Sequence, residues 1–125
     1  MSKATAIKAY KNLIEEHKAL KEEMTKGIVA FVKEWKGMGG AANAPLFILS
    51  NRPKTIGDVI NELEHTLLLV ELGAHITLNI DEEEGLVLFE AHIKEVADAL
   101  EASKNLWANT KADWYKYVAA TLADN

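Results

Sequence analysis

KATAIKAYKNLIEEHKALKEEMTKGIVAFVKEWK, residues 3–36, is the stretch on which the fold turns. Apolar side chains recur along it at Ile7, Tyr10, Ile14, Met24, Ile28, Phe31 and Trp35, with His17 at the centre and Leu13, Leu20 and Val32 on the flanks. That spacing describes one long amphipathic helix with a single apolar stripe. Lys8, Lys11, Glu15, Lys18, Glu22 and Lys26 occupy the opposite face, several of them as oppositely charged pairs three or four residues apart. Gly27 interrupts the pattern, at a cost of about 1 kcal/mol relative to Ala. A helix of this length, about 50 Å at about 1.5 Å per residue, must be covered by the rest of the chain or by a second copy.

Working outward, Gly37 follows a basic last turn and stops the helix. The run Gly37-Met38-Gly39-Gly40 is glycine-rich, but it follows a helix and opens no Gly-Lys-Ser/Thr turn, so it is a cap and not a phosphate cradle. Leu46 to Leu49 form a short apolar run between turn signals, read as a plug over one end of the core or as a docking loop.

A second helix is expected from a Thr55–Asp58 capping pair to Gly73, with Ile56, Val59, Ile60, Leu63, Leu67 and Val70 on one face. Its last turns add Leu68, Leu69 and Leu72 on the opposite face, beside His65. Apolar residues all round a helix place it centrally or in an interface with another chain. Residues 75–89 read either as a small β-hairpin or as the start of a third helix capped at Asp81, with Glu82, Glu83 and Glu84 in its first turn. The helix is preferred, because Leu86, Phe89, Ile93, Val96, Leu100, Ser103 and Trp107 continue one register. A second Thr-x-x-Asp pair, Thr110 and Asp113, marks either a break before a short fourth helix or a kink in one that runs on to about residue 123. The expected fold is all-α, one domain over residues 1–125: an elongated antiparallel helical bundle of three long helices and a short C-terminal fourth.

Net charge is -5, but it is unevenly spread. Residues 1–54 hold ten basic and five acidic side chains, and residues 55–125 hold four basic and fourteen acidic. From Thr55 to Ile93 there are nine carboxylates and neither Lys nor Arg, and Arg52 is the one arginine. Direct binding of nucleic acid is therefore not expected. With no cysteine there is neither a disulfide nor a thiolate metal site. The N-terminus lacks the apolar core of a signal peptide and no apolar run approaches a membrane span, so the expectation is a soluble cytoplasmic protein.

Motifs for chemistry are sparse. Glu62-x-x-His65 has the spacing of half a di-iron site, without a second half. Asp81 to Glu84 lack the alternating ligands and central glycine of a calcium loop. Ser103 and Thr110, polar at inward positions near Trp107 and Trp114, outline a possible ligand notch. His17 reads as a core imidazole, or as a pH switch if its burial disfavours the charged form. No metal, cofactor or catalytic residue is expected.

Two family resemblances are carried by short motifs. Trp35-Lys36-Gly37 at the end of a long helix resembles the Trp-x-Gly turn of the helical-hairpin substrates of type VII secretion. Those hairpins turn directly into their second helix, whereas here Asn43, Pro45 and Pro53 intervene. An acidic helical bundle with an exposed histidine is also similar to the histidine phosphotransfer domains, whose reactive histidine is followed closely by Leu-Lys-Gly. His65-Thr66-Leu67-Leu68-Leu69 keeps the leucine and has neither Lys nor Gly. That resemblance implies a phosphorelay module using His65; a small-ligand-binding bundle using His65 or the Ser103–Thr110 notch is the companion alternative.

The favoured expectation is a non-enzymatic interaction module, an adaptor or inhibitor. It would meet a basic protein surface with Asp81, Glu82, Glu83 and Glu84, and self-associate as a homo-oligomer through His65, Leu68, Leu69 and Leu72.

Overall fold

A computed structural model of the chain describes residues 1–39 and 51–123. They form three helices: α1 (Lys3–Gly37), α2 (Arg52–Glu71) and α3 (Glu83–Ala123). The segment 40–50, which includes the apolar run Leu46–Leu49, lies outside the described residues.

α1 is the unbroken rod that its stripe predicts. Ser2 caps it, its hydroxyl accepting from the Thr5 amide, and Gly39 follows its end at φ +91°. The buried residues are Ala6, Tyr10, Ile14, His17, Leu20, Met24 and Phe31, which recur every three or four positions. His17 donates from Nδ1 to the Leu13 carbonyl at 2.7 Å, so its polar edge is satisfied within its own helix.

α2 starts earlier than the Thr55–Asp58 pair predicts. Pro53 lies within its first turn, where a missing N–H costs nothing. The Thr55 hydroxyl donates back to the Asn51 carbonyl and caps nothing. The far end follows expectation, with Leu72 as cap and Gly73 left-handed at φ +67°.

Residues 75–82 form no strand, so the hairpin reading of 75–89 is corrected. Side chains bond this connection to its own backbone: the amides of Thr77 and Leu78 donate to His75 Nδ1, and that of Asp81 donates to Asn79 Oδ1. Such local bonds supplant a ladder. Leu78 and Ile80 pack against the core while Ile76 is 97 % exposed.

α3 is 41 residues long and continuous. Thr110 does not open a fourth helix, because its hydroxyl donates to the Leu106 carbonyl one turn back and its side chain is buried. The helix begins at Glu83, one residue beyond the start that an Asp81 cap implies, and the Asp81 carboxylate is engaged by Lys3.

α1 is the hub, packing against both other helices. Contacts climb α1 as they descend α2, from Lys11–Glu71 at 3.7 Å to Lys18–Glu64 at 3.2 Å to Lys21 over Gly57. Contacts rise together along α1 and α3: Tyr10 on Phe89, Glu16–Lys104, Glu23–Lys111, and Glu34 accepting from the Trp114 indole at 2.9 Å. Phe31 stacks on both Trp107 and Trp114, with centroids 5.8 and 5.1 Å away. Such pairs add about 0.5–1.5 kcal/mol each beyond burial.

The charge asymmetry is partly settled within the fold. Lys3, Lys11 and Lys18 of α1 neutralise Asp81, Glu71 and Glu64, and the N-terminal amine lies 3.2 Å from Glu90. These pairs are half-exposed, and each is worth about 1 kcal/mol or less.

Candidate interaction surface and groove

The end of the bundle formed by the last turns of α2, the 72–82 connection and the first turns of α3 carries most of the residues singled out from sequence. Leu68 and Leu72, one turn apart, are 55 % and 69 % exposed. Leu69 is only half-buried, so the second face of α2 is not a core surface. Ile76, Val87 and Leu88 add exposed apolar area at the same end. Isolated apolar side chains in solvent need no explanation, but several gathered at one end of a small protein do.

Charges of both signs border this area: Leu68 lines a groove with Lys11, Lys18, Glu64 and Glu71. Glu82, Glu83 and Glu84 are exposed and form no ion pair among the described residues, whereas Asp81 is held by Lys3. Glu83 and Glu84 lie in the first turn of α3, where the helix dipole favours negative charge. His65 and Glu62 are both exposed on α2. Among the described residues no three His, Asp or Glu side chains are placed to hold a metal.

The sequence gives no hint of a groove that the fold creates beside this end. His75 and His92, which have no constellation in sequence, both line it, with Thr66 of α2, Leu78 and Thr77 of the connection, and Leu88, Ala91 and Glu95 of α3. Its volume is about 500 Å³. One wall is fixed from behind. The His92 Nε2 lies 3.0 Å from the Tyr10 hydroxyl, and the His92 Nδ1 lies 3.8 Å from Glu95 Oε2. Tyr10 is fully buried, and burial pushes its phenol up to about 12; the nearby charge of Glu62 adds to the rise while a hydrogen bond from Thr66 opposes it. The phenol and the imidazole share one hydrogen bond, whose direction follows the His92 tautomer.

The Ser103–Thr110 notch does not assemble. Ser103 faces a small cavity of about 100 Å³ with Met24, Thr55, Ile56 and Leu106, while Thr110 is turned back on its own helix. Trp107 lies instead over Gly27 and Phe31. The buried indole N–H groups of Trp35 and Trp107 have no acceptor among the described residues.

No helix among the described residues is long and apolar enough to cross a membrane. Comparison with known proteins returns no matching family model, no matching curated protein and no matching solved structure.

Proposed function

We propose that this chain is a non-enzymatic protein–protein interaction module, an adaptor or inhibitor built as an elongated antiparallel bundle. The α2–α3 end docks a partner with a basic surface. One observation carries the reading: Leu72, Ile76 and Val87 are exposed at the same end of the bundle as Glu82, Glu83 and Glu84, which form no ion pair among the described residues. Apolar anchors inside an acidic rim match the general anatomy of an interface, in which desolvated apolar contacts supply affinity and rim charges supply encounter rate and selectivity. Self-association through Leu68, Leu69 and Leu72 is the competing occupant of the same area, and the unpaired carboxylates Glu82, Glu83 and Glu84 weigh against it by repelling a second copy.

The test is binding of basic proteins from the native cell at low and high salt. It compares the parent with two variants, one carrying Lys at Glu82, Glu83 and Glu84 and the other Leu72→Glu. The expected result is salt-sensitive capture lost in both variants. Capture unchanged in both removes the reading. Sedimentation of the parent and Leu72→Glu decides the competing occupant: a dimer dissociated by Leu72→Glu assigns the area to a second copy.

A further inference from the structure

We propose that the groove between α2, the 75–80 connection and α3 is the anchor point for the partner, taking a lysine or arginine side chain together with an adjoining apolar residue. This rests on the interaction-module reading above and assigns it a site.

The charge of the groove selects the ligand. Glu95 is its charged lining residue, and no Lys or Arg lines it. Glu62 stands one turn before Thr66 on α2, near enough for its charge to bear on Tyr10. An anion entering here meets carboxylates without a compensating cation, whereas a cation finds a partner. Leu78, Leu88 and Ala91 supply apolar lining, which suits the methylene stem of a long basic side chain and the apolar residue beside it.

The hydrogen-bonding groups suit a peptide. The His75 Nδ1 accepts from the amides of Leu78 at 3.0 Å and Thr77 at 3.2 Å, which requires that nitrogen to be unprotonated. The ring proton then sits on Nε2 as a donor suited to a main-chain carbonyl. The walls are set before binding: the backbone of the connection locks His75, and the buried Tyr10 holds His92. Side chains already fixed lose little entropy when a ligand arrives.

The experiment uses the full chain and two labelled synthetic peptides, an amphipathic Leu/Lys decapeptide and its Leu/Glu counterpart. Binding is followed by fluorescence anisotropy and by amide chemical shifts. The expected result is binding of the Leu/Lys peptide alone, with shifts concentrated at Thr66, His75 to Leu78 and Leu88 to Glu95. Glu95→Lys weakens it about tenfold. Glu95 is largely exposed, so this variant keeps the helical circular dichroism of the parent. Two results overturn the inference. If Glu95→Lys binds like the parent while Lys at Glu82, Glu83 and Glu84 abolishes binding, the groove is not the anchor and the acidic-end reading stands. If neither reversal alters binding, or the Leu/Glu peptide binds equally, both fail.

Discussion

The indole ring of Trp107 lies so close over Gly27 that a Cβ there would overlap ring atoms Cζ2 and Cη2. On helix propensity alone, Gly27→Ala gains about 1 kcal/mol. The contact reverses the sign, because Trp107 is 3 % exposed and stacked on Phe31 and so has little freedom to retreat. Gly27→Ala is expected to destabilise the fold by about 1–3 kcal/mol, read as a lowered urea midpoint. Paired with Trp107→Leu, the same alanine substitution becomes neutral or stabilising. A double-mutant cycle without coupling removes the explanation.

That glycine shows where a sequence falls silent. Seen alone, Gly27 is a weak point in a helix; its reason sits on α3, far along the chain. The extent of α1 was legible because the stripe and the glycine stop agree over one continuous segment, whereas the Ser2 cap was not read. The two Thr-x-x-Asp pairs misled for a shared physical cause. Inside a helix a threonine hydroxyl reaches the carbonyl four residues back, as Thr55, Thr110 and Thr121 all do, and it then marks no helix start. The leucines on the second face of α2 read as central or as an interface, and the fold leaves Leu68 and Leu72 exposed, which rules out the central position. The groove was not legible, since packing alone brings His75 beside His92.

Gly85 makes a second close approach, the backbone of Asn79 occupying the place where a Cβ would stand. Backbone cannot swing aside as a side chain can. Gly85→Ala is therefore expected to displace the connection from the start of α3 and to cost about 1–3 kcal/mol. It should also disturb the amide shifts of Asn79 to Glu82 before those of α1. A thermal midpoint equal to that of the parent removes this prediction.

His75 closes the turn before Leu78 through one ring nitrogen. His75→Ala leaves the exposed Thr77 amide and the part-buried Leu78 amide without their acceptor, a loss of about 1 kcal/mol. The effect is local: faster hydrogen exchange at Thr77 and Leu78, with that of the α1 core unchanged. His75→Asn, whose side-chain oxygen can accept from amides two and three residues on, restores part of the protection. Exchange unaltered in His75→Ala would mean that the turn holds without the ring.

Tyr10 gives the fold an alkaline limit. Its phenol is pushed up to about 12 in the folded chain from the ordinary 10.0, chiefly because burial disfavours the phenolate; a hydrogen bond from Thr66 opposes the rise and the charge of Glu62 adds to it. Between these values the unfolded chain has released the proton and the folded chain still holds it, so the unfolded state binds fewer protons and stability falls as pH rises. The contribution is whole below pH 10 and is lost as pH climbs through about 12. Two units correspond to about 3 kcal/mol at most. Tyr10→Phe cannot ionise, so its urea midpoint declines less steeply over this range than that of the parent, and one of the three tyrosines disappears from the late part of the phenolate absorbance titration. The variant also loses the hydroxyl that faces His92 Nε2, which lowers its stability near neutral pH. The diagnostic quantity is therefore the slope with pH and not the midpoint itself. Equal slopes in parent and variant would show that the phenol is not held protonated by its surroundings.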